Sequence, residues 1–227
     1  MKPTNNKFLT RRGFGVHSPW AYDFIINVIQ EKLPYYAYDD LYDFCENAPE
    51  ELPQFDQEED ELLLRVTNSL AVRGKDSLRV LEVGTGSATS TVYMASVGKA
   101  VKCVTIDAPH PLTQQVRDSL SDFENVDYRS GNVRELLEKY LSEIPQAGKI
   151  DLVHIAHTAF FREVMDEIFP YLGPQSLVVT HDIYAIPAKH DWWRQIVADA
   201  RVASTFTKDE TGILSFDLKK QKYNYHL

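Results

Sequence analysis

The chain has 227 residues, 44% hydrophobic and 25% charged, with 24 Lys and Arg against 33 Asp and Glu for a formal charge of −9; it is long enough to bury a core without covalent staples. The acid excess disfavours general binding of phosphate backbones, no apolar run approaches the ~20 residues of a membrane helix, and Met1–Arg12 lacks the apolar stretch of a secretory signal, so neither nucleic acid nor membrane is an expected partner. Cys45 and Cys103 are the only cysteines, which rules out a disulfide scaffold and suits a reducing, cytoplasmic setting.

Ser18 and Pro19 have the form of a helix start, a polar cap followed by Pro at the first helical position. Ala21, Phe24, Ile25, Val28 and Ile29 then recur at helical spacing until Pro34 stops the pattern. A tyrosine-rich patch follows at Tyr35, Tyr36, Tyr38 and Tyr42. From Asp39 to Glu61 there are eleven acidic residues and no Lys or Arg; without them 24 basic residues would face 22 acidic ones, so the negative charge belongs to one segment. Pro49, Glu50, Glu51 and Pro53 in its middle read as a loop, and a solvated connector is expected. A helix is predicted over Asp56–Arg73, with Leu62, Leu63, Val66 and Leu70 as its apolar positions and Gly74 as its stop. Residues 1–74 are thus expected to form a helical N-terminal extension or lid, and 75–227 the main domain.

From Leu78 short apolar runs alternate with helical stretches. The runs are Leu78–Val83, Ala100–Ile106, Val126–Arg129, Ile150–Ile155 and Ser176–Thr180; the helical patterns are Thr89–Val97, Pro111–Leu120, Val133–Leu141 and Ala159–Leu172. Continuous apolar strands separated by helices predict a parallel sheet covered on both faces. After a helix near Lys189–Asp199 come Val202–Phe206 and Ile213–Leu218, joined by a connection too short for a crossover, so these two must be antiparallel. The expected class is α/β, a Rossmann-like doubly wound sheet of seven strands with an antiparallel last strand. Lys219–Leu227 reads as a strand extension or a frayed end.

The strongest local signal is Leu78-Arg79-Val80-Leu81-Glu82-Val83-Gly84-Thr85-Gly86-Ser87-Ala88-Thr89, a strand, a glycine turn and a helix start. Gly84 and Gly86 permit a tight turn and close approach of a ligand, and the helix N-terminus offers free amides. About twenty residues on, the next strand ends in Asp107, an acid placed to accept from both hydroxyls of a ribose. The alternative is that the glycines only form a tight strand–helix turn. Glu82 would repel a pyrophosphate, yet suits an amino-acid ammonium and a sulfonium.

At these residues the chain resembles the class I S-adenosylmethionine-dependent methyltransferases, whose glycine motif reads E/D-x-G-x-G-x-G and whose seventh strand runs antiparallel beside the fifth. The resemblance covers Leu78–Leu218. It implies that Glu82, Gly84 and Gly86 line the methionine portion of the cofactor, that Thr85 also belongs to the cofactor site, that Asp107 holds the ribose, and that Asn132 of Gly131-Asn132 lies at the adenine. A narrower likeness, to a bacterial group of such enzymes, rests on Gly15-Val16-His17-Ser18-Pro19-Trp20-Ala21-Tyr22-Asp23-Phe24, His181-Asp182-Ile183-Tyr184, Asp191-Trp192-Trp193 and Gly212-Ile213-Leu214-Ser215-Phe216. That likeness makes the whole chain one family unit; the class I resemblance implies methyl transfer to a small-molecule acceptor, O- or N-directed, with a homodimer as one possible assembly.

The pattern breaks at the fourth strand, Asp151-Leu152-Val153-His154-Ile155-Ala156-His157, where Ala156 stands in place of the acid that related O-methyltransferases carry. After the fifth strand His181-Asp182 replaces an acid pair. A magnesium-type site of oxygen ligands is therefore not expected. His154, His157, His181 and Asp182 are read as pocket or hydrogen-bonding residues rather than zinc or iron ligands, and no metal is predicted. Where the acceptor is a hydroxyl or ammonium a base must take its proton, and the candidates are His181 and Asp182 ahead of His157, with His154 deeper on its strand. His17 and Trp20 read either as a lid over the acceptor or as simple packing; Trp192 and Trp193 are expected to pack on a helix face with one partly exposed. Competing readings are a cofactor-binding protein that has lost catalysis, kept open by Ala156, and a nicotinamide-dependent oxidoreductase, disfavoured by Glu82 and the antiparallel end of the sheet.

Overall fold

The computed structural model describes residues 15–74, 76–146, 148–219 and 222–227. Helix α1 (Pro19–Phe24) starts on Ser18, whose side chain accepts from the Ala21 amide, and runs straight into a π-helical turn at Ile25–Ile29. Helix α2 (Tyr38–Glu46) and helix α3 (Gln57–Ala71) follow. A capping box formed by Asp56 and Glu59 opens α3 and satisfies two of its orphan amides. The acidic stretch expected to be a solvated connector is therefore helix at both ends. Only residues 47–56 between α2 and α3 are irregular.

Then come β1 (Leu78–Val83), α4 (Thr89–Ala95), β2 (Val101–Asp107), α5 (Thr113–Ser119), β3 (Val126–Ser130), α6 (Val133–Glu143), β4 (Ile150–Ile155), α7 (Phe161–Ile168), β5 (Leu172–Thr180) and α8 (Pro187–Ala198), followed by β6 (Ser204–Lys208), β7 (Thr211–Ser215) and β8 (Tyr223–His226). The sheet order is β3-β2-β1-β4-β5-β7-β6-β8. Strands β1 to β5 are parallel, and β7 runs antiparallel to both β5 and β6. This is the α/β, Rossmann-like doubly wound arrangement the alternation of runs predicts. An eighth strand is added to the expected seven: the C-terminal residues of β8 pair in parallel with β6 and extend the edge.

Strand alternation sends Leu81, Val83, Val153 and Ile155 to a core shared with Leu137, Met165, Trp192 and Trp193. Val80, Leu152, Val179 and Phe206 face the other way, onto Phe24, Leu63, Val66 and Met94. Helices α1 and α3 thus supply one of the two layers that bury the sheet. Trp192 and Trp193 are both buried, where one was expected to be partly exposed; the small side of Gly212 receives the Trp193 ring. Trp20 stacks on Phe24 and meets Phe206 edge-on, so it packs rather than covering a pocket at the strand tips, and His17 is exposed.

The connection out of β3 returns across the sheet to β4, which lies on the opposite side of β1 from β2. The order therefore reverses at β1 and β4. Sheets of this kind open a crevice at such a point, outside the carboxyl ends of the strands.

Candidate active site at the strand tips

At that crevice the chain leaves β1 through Gly84 (φ +99°) and Gly86 (φ +56°). Both positions are left-handed and crowded. A Cβ on Gly84 would lie 2.5 Å from the His157 backbone nitrogen, and one on Gly86 would collide with the Pro53 carbonyl oxygen. Ala88, standing where the motif's third glycine would be, is also left-handed at φ +73°. A non-glycine residue there stores strain. The Gly86 amide donates to Asp107 Oδ2 at 3.0 Å, and the Ala108 amide donates to Oδ1 at 2.7 Å. Asp107 is half-buried. Burial raises its pKa, opposed by those two amides. A carboxylate offers about four lone-pair sites, so it retains capacity for ligand hydroxyls.

Glu82 is fully buried and turned inward. It accepts from Ser90 (2.7 Å), Thr105 (2.6 Å) and Thr91, and meets His154 Nδ1 at 2.9 Å. Burial pushes its pKa up, but the His154 and threonine bonds outweigh this and hold it below the ordinary value. Thr85 is likewise buried, with its hydroxyl 2.6 Å from that of Thr105. Glu82 and Thr85 therefore brace the corner from beneath, while Gly84 and Gly86 shape its surface. Asn132 is exposed and caps α6: its Oδ1 accepts from the Arg134 and Glu135 amides at 3.1 and 3.4 Å. The side-chain carbonyl of this residue, expected at the adenine, is thus engaged in the cap.

Three histidines converge on one ring that sequence reasoning passed over, Phe55. Its centroid lies 4.0 Å from that of His181, 4.1 Å from His157 and 5.4 Å from His154. His181 is 1% exposed. Its Nδ1 is 3.0 Å from Glu59 Oε1 and 3.0 Å from Thr211 Oγ1. The Nε2 atoms of both His181 and His154 are buried and without a hydrogen-bond partner. Burial lowers the His181 and His157 pKa values to about 4, so both rings are neutral at neutral pH. Burial pushes the Glu59 carboxyl up, and the bonds from His181 and Thr211 reverse this, leaving it below its usual range. Asp182 adjoins His181 in sequence but is exposed, at a left-handed φ of +54°. His181 and His157 are thus brought together around Phe55, and Asp182 lies at the rim. Among the described residues no three His, Cys, Asp or Glu side chains are placed to hold a metal ion.

Phe55 arrives on residues 47–56, a strap tied down between α2 and α3. The Pro53 carbonyl accepts from the Ser87 amide at 3.0 Å, and Phe55 fills the space among the histidines. Gly84 to Ser90 are all buried, whereas Asp107 is partly open and Asn132 exposed. One end of the crevice is accessible, and the other is closed by the chain itself.

No protein-family model and no curated protein matches the chain. Solved structures match its fold. The O-methyltransferase TomG of Streptomyces achromogenes, involved in tomaymycin synthesis and solved with SAM, superposes with a TM-score of 0.61 at 16% identity, over 86% of this chain and 95% of that one. An O-methyltransferase of Bacillus cereus in complex with SAH gives a TM-score of 0.60 at 13% identity, over 86% and 96%. A Podospora anserina methyltransferase, also bound to SAH, gives 0.54 at 13%, over 82% and 98%. The class defined is that of the Rossmann-like methyltransferase fold, spanned nearly whole.

Proposed function

We propose that this chain transfers a methyl group from S-adenosylmethionine to an oxygen of a small-molecule acceptor, in the cytoplasm. The observation that carries the reading is the corner itself: a left-handed glycine pair, the second of which donates its amide to an acid at the tip of the next strand, at the reversal point of the sheet. Fold neighbours solved with SAM or SAH support it. The residues fit such a cofactor at its sugar end, where Asp107 has spare acceptor capacity. The buried, unpartnered Ser87 hydroxyl at the corner also suits a polar ligand. When bound, the cofactor supplies a methyl carbon activated by its sulfonium.

The chain's own part is to align and to move a proton. In a displacement at carbon most of the gain comes from holding the nucleophile in line. A hydroxyl nucleophile must also lose its proton, and neutral His181 is the assigned acceptor, through Nε2. Glu59 and Thr211 at Nδ1 fix the ring, as a carboxylate does in other histidine dyads. His157 forms a wall. The base, 1% exposed, is not reachable while Phe55 stays in place, so the strap is the part of the N-terminal extension that acts as a lid.

The test is calorimetric titration with S-adenosylmethionine and with NAD. Binding of NAD alone sinks the methyltransferase reading. Phe55→Ala is expected to tighten S-adenosylmethionine binding by about ten- to a hundredfold, because losing the ring that stacks on the histidines leaves the competent, uncovered state more populated. Weaker binding in that variant would make Phe55 part of the binding wall instead. A second reading, a protein without catalysis, is favoured by Ala156 and by the filled histidine end. Labelled methyl transfer from the cofactor to a metabolite extract by the Phe55→Ala protein would reject it.

A further inference from the structure

A second cavity lies behind Phe55, between α2, α3 and the start of α4. Its volume is about 270 Å³, near the lower end of small-ligand pockets (~300 Å³ upwards). The rings of Tyr42, Phe55 and Tyr93 line it together with Cys45, Glu46 and Asp60; no Lys or Arg is among its lining residues. Asp60 is 1% exposed and its Oδ1 has no hydrogen-bond partner; Tyr93 is 0% exposed and its hydroxyl has none either. Next to Asp60 along α3, Leu62, Leu63, Leu64 and Val66 are all buried in apolar cores. An apolar residue at position 60 would therefore suit the fold better than a carboxyl with an idle oxygen. Buried polar groups left unpaired are rare and call for an explanation.

The lining selects the ligand. Two carboxyls without a base favour a cation, and three aromatic side chains favour one whose charge is spread over carbon-bound hydrogens. An inorganic ion is a poor fit, since no three His, Cys, Asp or Glu side chains among the described residues can hold a metal. We propose that this cavity binds an organic ammonium group, with Asp60 as its counter-charge and the Tyr42, Phe55 and Tyr93 rings as its walls. Binding of an ammonium here stands apart from methyl transfer; only its assignment to a cofactor rests on the proposed function. Two sources share the chemistry: a separate amine, and the amino-acid end of a cofactor at the neighbouring corner.

The groups that face Asp60 set its charge. Thr89, on α4, hydrogen-bonds to it; Glu82 on β1 and Glu59 and Asp56 at the head of α3 repel its negative form. Cys45 and Tyr93 flank it, and Glu46 lines the same cavity. Burial and these acids raise its pKa to about 8. A quaternary ammonium, which does not titrate, should therefore bind about tenfold more tightly at pH ~9 than at pH ~7, because its counter-charge is present in nearly all molecules rather than in about a tenth of them.

The experiment titrates the full chain with tetramethylammonium chloride, without cofactor, and follows backbone amide resonances. Potassium chloride and tert-butanol are the controls. Saturable shifts at Cys45, Thr89 and Tyr93 are expected with tetramethylammonium only. Asp60→Asn, which keeps the shape and removes the charge, should lose at least tenfold in affinity and the pH dependence, with the rest of the spectrum intact. Tyr42→Leu should weaken binding several-fold. Equal affinity in Asp60→Asn, equal shifts with either control, or no saturable shift at pH ~9 would overturn the proposal. Repeating the titration with saturating S-adenosylhomocysteine separates the sources: unchanged affinity assigns the cavity to a separate amine, and competition assigns it to the cofactor's own ammonium.

Discussion

Replacing His181 with alanine is expected to lower methyl-transfer turnover by about 10²- to 10⁴-fold, the range of a lost general base, while leaving S-adenosylmethionine affinity within about threefold. The ring is almost fully buried, is held through Nδ1 by Glu59 and Thr211, and has an idle Nε2. Because burial brings its pKa to about 4, the base form persists through the neutral range. Acidification should reduce the rate only as pH approaches about 4 to 5. A limb near the ordinary histidine value of ~6.5 would point to another residue. Glu59→Gln removes the attraction that favours the imidazolium, so the acid limb should move lower still, and turnover should fall by about tenfold as the ring loses its orientation. Steady-state rates across pH check all three statements, and undiminished turnover in His181→Ala would remove this residue from the mechanism.

Asp60→Asn is expected to stabilise the protein, and increasingly so as pH rises. The native carboxyl holds its proton until about pH 8, for which burial is the first cause; in the unfolded chain it releases it near ~3.9. Between those values the unfolded state binds fewer protons than the native one, so stability falls with rising pH by at most about 1.4 kcal/mol per unit. The accumulated penalty has an upper bound of about 6 kcal/mol above pH ~8, roughly 10 °C or more in melting temperature for a chain of this size. The amide does not titrate, so melting curves of wild type and variant should coincide near pH 4 and diverge towards pH 8. Parallel curves would show that the carboxyl does not carry this burden. A stability penalty of this size, retained in the fold, is what a group kept for binding leads one to expect.

The sheet was readable because its strands are apolar runs between turn signals: Leu78–Val83 and Ile150–Ile155 end where their composition changes. Helix α2 was hidden by the prolines and acids after it, although Tyr38, Leu41, Tyr42 and Cys45 carry a helical face. The tip of β8 has only two alternating tyrosines, too short a pattern to declare a strand. Within the site, Gly84, Gly86 and Asp107 lie on one strand–turn–helix unit and its neighbour, so their spacing is visible. Glu82 and His154 sit opposite each other only through the β1–β4 register. Glu59 and His181 are 122 residues apart. Phe55 and Asp60 sit in and beside a segment whose polarity suggested solvent; nothing in a linear pattern tells which residues of a loop turn inward.

The strap carrying Phe55 is anchored at both ends, by α2 and by the capped start of α3, and each helix is rooted in buried contacts. It can bow outward but cannot swing free. Ligand arrival at the histidine end then waits on a spontaneous bulging of ten residues, and a waiting step does not quicken with dose. Stopped-flow association of S-adenosylmethionine should level off at a ceiling set by the loop, and a rate that climbs linearly to millimolar concentrations would mean that the passage is never shut.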